Sequence, residues 1–151
     1  MASAAEQLAA NINFGATAST DIAYGVALQS DGKLLVTGFT NAGGTSDIAL
    51  ARLNTDGTLD TSFNSTGTVI TTAGTGGDFA VDVRMLSSGK ILVSGYGSTN
   101  GNDFAVIRYN TDGTLDTTFG TGGRATLNFG VSTDDRGTRM VLQADGRIVL
   151  V

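Results

Sequence analysis

The sequence of 151 residues contains no cysteine, no histidine and no proline. Without cysteine the chain has no disulfide framework and no thiolate site. Without histidine it lacks the commonest zinc ligand and the base of the Ser-His and Cys-His nucleophile pairs. Without proline it is neither collagen-like nor a proline-rich linker. These absences argue against the usual hydrolase and zinc-protein chemistries, and we expect a protein that is not an enzyme and needs no cofactor.

Positive charge is scarce as well. The chain has 9 Lys and Arg against 14 Asp and Glu, which gives a net charge of −5. A clustered basic surface is the electrostatic mark of proteins that bind nucleic acid or anionic membranes, so neither is expected as a partner. No apolar run approaches the length of a transmembrane helix, and we expect no membrane insertion.

Glycine is abundant and a repeat is present. The 22 glycines are roughly twice the average usage and indicate frequent tight turns. The stretch Lys-Leu-Leu-Val-Thr-Gly-Phe at residues 33–39 returns at residues 90–96 and at residues 147–151, so its copies start at positions 33, 90 and 147, which are 57 residues apart. Repeated units of about 40 to 60 residues are typical of propellers and arrays.

Each unit is predicted to contain four antiparallel strands. Tyr24, Val26 and Leu28 alternate with small residues, which predicts a first strand with one packed face. The repeated stretch is apolar on both faces, which predicts a second strand that is the most deeply buried. The strands are expected at residues 24–28, 33–39, 47–53 and 68–72, then at 81–85, 90–96, 103–109 and 124–128, and finally at 138–142 and 147–151.

The predicted fold is all-β, with four-stranded antiparallel blades of a β-propeller or of an open blade stack. The chain divides into residues 1–16, a tail with the orphan last strand of a preceding blade at residues 11–15; 17–74, blade 1; 75–131, blade 2; and 132–151, the first two strands of blade 3. Propellers typically close with four to eight blades, so the fold is incomplete within one chain. The expected partner is a second copy of the chain or the rest of a longer repeat array.

A calcium site is the most specific chemical candidate in the sequence. Side-chain oxygens alternate in two tight loops, and oxygen ligands of this kind suit calcium. The residues are Asn54, Asp56 and Asp60 in the first unit and Asn110, Asp112 and Asp116 in the second. The alternative is a hairpin turn in which Asn and Asp bond their own backbone, while Asp60 and Asp116 pair with Arg52 and Arg108.

Other acidic and aromatic residues are open to two interpretations. Asp21, Asp78 and Asp135 recur 57 residues apart and either cap free loop N–H groups or line a cation-binding channel. Asp134 and Asp135 form the obvious carboxylate pair for glycoside hydrolysis, but adjacent strand residues point to opposite faces. The aromatic residues fall at matched positions and are interpreted as core, with a carbohydrate-stacking platform as the alternative. They are Tyr24, Phe39, Phe63, Tyr96, Phe104, Tyr109 and Phe119.

Three linked motifs, at residues 28–38, 103–110 and 112–120, resemble the delta-60 repeat, a tandem bacterial repeat. The resemblance extends over residues 17–151 and implies propeller-like blades in a large secreted or surface protein. The family usually carries proline where this chain has Ser30, Ser87 and Ala144, so an engineered or shortened version of such a protein is also consistent with the sequence.

The sequence therefore favours a non-enzymatic structural or interaction repeat module of a bacterial secreted or surface protein. The alternative is a propeller that binds a glycan or a protein, with or without calcium, through loops such as residues 40–46 and 98–102. A glycan lyase or hydrolase is the third reading, and it would need acids such as Asp134 and Asp135 at one mouth of the propeller.

Overall fold

The computed structural model describes residues 12–14, 19–98, 101–130, 134–137 and 139–151. Within these ranges the chain forms β-strands and tight turns. The strands of the first sheet are β1 (Asp21–Leu28), β2 (Leu34–Thr40), β3 (Asp47–Leu53) and β4 (Thr68–Thr71). Those of the second are β5 (Asp78–Met85), β6 (Ile91–Ser98), β7 (Asn102–Tyr109) and β8 (Arg124–Leu127), and a third sheet pairs β9 (Met140–Leu142) with β10 (Ile148–Leu150).

The sheets are antiparallel meanders. Their strands lie in the orders β1-β2-β3-β4 and β5-β6-β7-β8, so that each strand is bonded to its neighbours in sequence. The predicted all-β fold of four-stranded antiparallel blades is confirmed, and the two sheets are called blade 1 and blade 2 below. None of the described residues forms a helix long and apolar enough to cross a membrane.

Tight turns with glycine join the first two strands of each unit, as predicted. Gly32, Gly89 and Gly146 have φ angles of 85°, 81° and 85°, a region of backbone space that L side chains avoid. Each glycine N–H donates to the carbonyl oxygen three residues earlier, at 3.0, 2.9 and 3.0 Å. The same turn is therefore built three times.

The blades pack face to face and share apolar clusters. We call the side of a blade that faces the preceding unit its N-side face and the opposite side its C-side face. The C-side face of blade 1 meets the N-side face of blade 2 in one buried cluster. Blade 1 contributes Leu35, Ile48, Leu50, Val69 and, from the hairpin after β3, Phe63, and blade 2 contributes Ala80, Val83, Ile91, Val93, Ile107 and Tyr109. In the same way Leu92 and Val106 of blade 2 pack with Met140 and its neighbours in the β9–β10 sheet.

Two expectations about the first strands were wrong. β1 and β5 begin three residues earlier than predicted, at Asp21 and Asp78. The face predicted to be packed in β1 is open, because Val26 and Leu28 are exposed. The equivalent residue Val83 is buried only because blade 1 covers it, and among the described residues no strand covers Val26.

Two further expectations are corrected. Residues 12–14 form no strand, while residues 11 and 15 of the expected orphan strand lie outside the described part of the chain. Residues 12–14 correspond to residues 127–129 of blade 2. Because β8 ends at Leu127, only the first of these three positions belongs to a strand in blade 2. The second strand is not the most buried one in blade 1, because Leu34 and Val36 lie on the open N-side face and β3 is more deeply buried.

Candidate functional site

The first of the two loops proposed for calcium is a hairpin turn held by its own side chains. Gly57 N–H donates to Asn54 O at 2.9 Å, and Gly57 has a φ of 84°. The Asp56 carboxylate accepts from Thr58 N at 3.0 Å and from Thr58 Oγ1 at 2.6 Å, and Asn54 Nδ2 donates to Thr58 Oγ1. The hydrogen bond from the Thr58 hydroxyl is the main reason that the pKa of Asp56 lies below its ordinary value.

The second loop repeats this geometry. Asp112 Oδ1 accepts from Thr114 N at 3.0 Å and from Thr114 Oγ1 at 2.7 Å. Asn110 Nδ2 donates to Thr114 Oγ1, and the pKa of Asp112 is lowered by the same threonine contacts. Asp side chains that accept from the backbone N–H two residues on are an ordinary means of closing such turns, and here the Asn side chains support the same threonines.

Asp60 and Asp116 point away from the turns and pair with protein cations. Asp60 Oδ2 lies 2.7 Å from Lys33 Nζ and 2.7 Å from Arg52 Nε, while Oδ1 accepts from the N–H and hydroxyl of Ser62. The Asp60 side chain is buried, and the hydrogen bond from Lys33, followed by that from Ser62, holds its pKa well below the ordinary value.

The second cluster has the same composition. Asp116 Oδ2 lies 2.7 Å from Lys90 Nζ and 2.6 Å from Arg108 Nε, and Oδ1 accepts from Thr118. Lys90 contributes most to the lowered pKa of Asp116. The pairing of both acids with Arg52 and Arg108, predicted as the alternative to calcium, is confirmed. The lysines were not foreseen, although Lys33 and Lys90 open the first two copies of the repeated stretch.

These contacts separate the six proposed calcium ligands into two kinds: four that close the hairpin turns, and two buried acids, Asp60 and Asp116, that pair with lysine and arginine. Within the described ranges, no three acidic side chains come close enough to hold a metal ion. A calcium ion at Asp60 would have to displace Lys33 and Arg52 from the carboxylate, and charge-assisted pairs of this kind are among the stronger polar contacts of a protein. The geometry fits a repeated structural cluster better than a calcium loop.

The first cluster also joins the two blades. Arg52 Nη1 donates to Thr111 O at 2.7 Å, and Asn64 N–H donates to Asp112 O at 2.7 Å. The fully buried ring of Phe63 lies against Gly113, with the Arg52 guanidinium 4.6 Å from its centroid. This link from one hairpin to the turn of the next blade could not be read from the sequence, although the paired spacing of Arg52 and Phe63 with Arg108 and Phe119 was a signal.

The acids at the entry of each first strand cap the backbone before them. Asp78 Oδ2 accepts from Ala73 N at 2.6 Å and from Gly74 N at 3.0 Å. Asp135 Oδ2 accepts from Phe129 N at 2.9 Å, and Asp21 Oδ2 lies 3.5 Å from Phe14 N. The capping role predicted for these residues is confirmed by the same bond in all three units.

Asp134 and Asp135 do not act as a pair. Asp134 Oδ1 is bonded to Asn102 Nδ2 at 2.5 Å and to Arg136 Nε at 2.9 Å, whereas Asp135 bonds Phe129. Arg136, followed by Asn102, lowers the pKa of Asp134. A general acid of a glycosidase needs the opposite shift.

Four aromatic rings form a row across the two blades. Tyr24 and Phe39 have ring centroids 6.1 Å apart, Phe39 and Phe79 are 4.9 Å apart, and Phe79 and Tyr96 are 5.1 Å apart. Arg136 lies 5.2 Å from the centroid of Tyr96 at the far end. Phe79 was missed in the sequence because its strand was predicted to start later.

The two loops proposed for ligand binding differ in how much can be described. Loop 40–46 is tied to both blades, since Asn41 Oδ1 accepts from Thr20 N at 2.6 Å and Ser46 O accepts from Asp78 N at 2.7 Å. Of loop 98–102, residues 99 and 100 lie outside the described part of the chain. Nothing in these contacts assigns either loop a ligand.

Meandering four-stranded sheets that stack through apolar faces define a β-propeller repeat domain. In agreement with this class, a protein-family model described as "Domain of unknown function (DUF5122) beta-propeller" matches residues 29–63 and 86–119. The matched segments start 57 residues apart and cover just under half of the chain, including β2 and β3 of blade 1 and β6 and β7 of blade 2. A search of curated proteins found no match.

Proposed function

We propose that the chain is a non-enzymatic structural or interaction module, of the delta-60 type, in a bacterial secreted or surface protein. The observation that carries the proposal is that the Lys-Arg-Asp cluster recurs in both blades. Charged groups that recur with each unit of the fold are best explained as stabilising that unit. In such a repeat the polar residues stabilise each unit and the apolar faces pack against the neighbouring units. Repeat proteins of this kind act through extended surfaces.

The bacterial and extracellular setting rests on the resemblance of three linked motifs to the delta-60 repeat, supported by the propeller family model that matches the same parts of each unit. The absence of cysteine from the chain is compatible with either an oxidising or a reducing compartment.

The alternative function is a propeller that binds a glycan or a protein, with or without calcium. The row of rings from Tyr24 to Tyr96 favours it, because Tyr24 is exposed at one end and sugars stack on aromatic faces. Three of the four rings are, however, half-buried against one another, which leaves little free ring surface.

Thermal unfolding in calcium and in chelator, followed by glycan-array binding, separates the two functions. A ligand present at a hundred times its Kd stabilises a protein by about 2.7 kcal/mol, which for a chain of this size raises the Tm by several degrees. We expect the same Tm in both buffers and no glycan signal above that of a Tyr24→Ala control. A calcium-dependent rise, abolished by Asp56→Asn with Asp112→Asn, would replace the structural proposal with the binding one.

A further inference from the structure

Two apolar faces are left open by the residues that the structure describes, one on blade 1 and one on the β9–β10 sheet. On the N-side face of blade 1, Val26 is 65% exposed and Leu28 is 71% exposed. On the C-side face of the β9–β10 sheet, Val141 is 55% exposed and Val149 is 40% exposed. These are large aliphatic side chains on regular strands, and neighbouring exposed residues of this kind mark interaction surfaces.

The chain itself shows what such faces bind. Val83 and Met85 of blade 2 occupy the positions of Val26 and Leu28, and they pack with Ala27 and Leu35 on the C-side face of blade 1. Met85 Sδ also accepts a hydrogen bond from Gln29 Nε2 at 3.7 Å. Adding 57 twice to the blade 1 positions 27, 29 and 35 gives Val141, Gln143 and Val149.

The interface between blade 2 and the β9–β10 sheet repeats the arrangement. Leu92, which corresponds to Leu35 and Val149, packs with Met140 and Leu142, which correspond to Val26 and Leu28. The same pairing of positions is thus formed twice within one molecule. The two open faces are the unused halves of a third copy of that interface.

Resting on the structural function proposed above, we propose that the partner is a second copy of the chain. The N-side face of blade 1 in each copy docks on the C-side face of the β9–β10 sheet in the other, with Val26 against Val141 and Val149 and with Leu28 beside Gln143. Such head-to-tail contacts make a closed ring where the rotation allows it.

The number of strands favours two copies. The described residues contain three first strands, β1, β5 and β9, so two copies of this segment of 151 residues would place six around an axis and three copies would place nine. Propellers typically have four to eight blades. A closed dimer with six blade positions is therefore the expected assembly.

The width of the open part of the N-side face of blade 1 also fits the two-stranded β9–β10 sheet of a second copy. On the N-side face of blade 1, the β3 residues Ala49, Ala51 and Leu53 are already buried. Ile12 and Phe14 lie over this part of the face, where they line a cavity of about 250 Å³ with Val36 and Ala49. The exposed residues Val26 and Leu28 lie on the first strand, and Leu34 and Val36 beside them on the second strand are partly buried. A sheet of two strands is wide enough to cover this part of the face.

Light scattering coupled to size exclusion tests the proposal on the chain as it stands. We expect a mass of about 30.6 kDa, twice the chain mass of 15.3 kDa, over a range of concentrations. Val26→Asp and Val149→Lys should each give monomers, with the dimer Kd raised about 100-fold or more, because every homodimer would bury two unpaired charges. Leu127→Asp is the control, since Leu127 is an exposed strand residue on neither docking face, and it should leave the mass unchanged.

An equimolar mixture of the two monomeric variants distinguishes the modes of docking. Head-to-tail pairing predicts that the dimer returns, because one interface is intact and the other sets Asp against Lys. A wild-type monomer at every concentration would overturn the proposal and leave a further blade as the occupant. Dimers of Val149→Lys alone would also overturn it, because like faces would then be pairing. Neither result depends on calcium or glycan binding, so the proposed function stands or falls separately.

Discussion

At the scale of single residues, Asp60 and Asp116 are the acids on which each hairpin depends. Each carboxylate receives a lysine from the second strand and an arginine from the third, and both side chains are buried. Removing one member of such a cluster leaves buried charge without a partner, which costs more than the pair itself contributes. The clusters therefore couple the fold to pH.

Acid unfolding measures that coupling. The folded pKa of both acids lies below the ordinary value of 3.8, so their stabilising effect is present above about pH 4 and is lost as the pH falls through the folded pKa. The double variant Asp60→Asn with Asp116→Asn should be less stable than wild type at pH 7. Below pH 4 its free energy of unfolding should change less steeply, by up to about two protons per molecule.

The control for this prediction is Asp31→Asn, in which an exposed turn carboxylate is replaced. Urea unfolding from pH 2 to 7, followed by circular dichroism, gives the free energies. If the double variant kept the wild-type slope, the two clusters would not be the source of the acid sensitivity.

At the scale of strands, a β-bulge in the first strand of each blade requires a glycine opposite it. The register shifts between Ala23 and Gly25 and again between Ala80 and Asp82. Gly38 and Gly95 pair with Ala23 and Ala80, and a Cβ on either glycine would overlap a backbone carbonyl oxygen of the first strand. A backbone oxygen cannot rotate away as a side chain can.

Gly38→Ala should therefore destabilise the chain strongly. Overpacking costs typically 1 to 3 kcal/mol, and because the three atoms nearest to the new Cβ are all backbone atoms of β1, we expect about 3 kcal/mol in urea unfolding. Gly43→Ala is the matched control, because a Cβ there meets only Asp47 Oδ2 at 3.6 Å, and its cost should stay within about 0.5 kcal/mol. Equal costs for the two variants would mean that the bulge relaxes around the new methyl group.

The bulge also shows where sequence patterns stop. Period-two alternation located Val26 and Leu28 on one face, and the paired strands confirm that both lie on the N-side face. Tyr24 continues the alternation in the sequence, but in the structure it is the extra residue of the bulge, so the alternation does not extend through it. The true start of β1 at Asp21 was hidden for the same reason. The recurrence of Gly38 and Gly95 is evident in the sequence, but the close approach of the first strand that requires these glycines is evident only in the structure.

The candidate site was predictable to a similar extent. The pairing of Asp60 with Arg52 follows from hairpin geometry, and the structure forms it. Predicting that Lys33 also pairs with Asp60 requires the register of the second strand against the third. Predicting the contact of Arg52 with Thr111 requires the position of the next blade. A sequence pattern that describes one unit does not predict the contacts between units.

At the scale of the whole molecule, the blades are joined by their apolar faces, by hydrogen bonds such as that from Asp78 N to Ser46 O, and by an aromatic anchor at the edge, Phe63. Phe63 is fully buried between its own hairpin and the turn at Gly113 of blade 2. Its counterpart Phe119 is only partly buried beside the smaller cluster of blade 2 and the β9–β10 sheet. The same residue type thus has two environments in one chain.

This difference makes the two phenylalanines a matched pair of test sites. Phe63→Ala should cost about 3 to 5 kcal/mol, the range for a large aromatic lost from a core, while Phe119→Ala should cost less than half as much. Hydrogen exchange should show faster exchange in the Phe63 variant on both sides of the blade interface, at the hairpin after β3 and at the turn after β7. Exchange that rose only in the hairpin of blade 1 would contradict the role of Phe63 as an anchor between blades, since the loss would then be local to one unit.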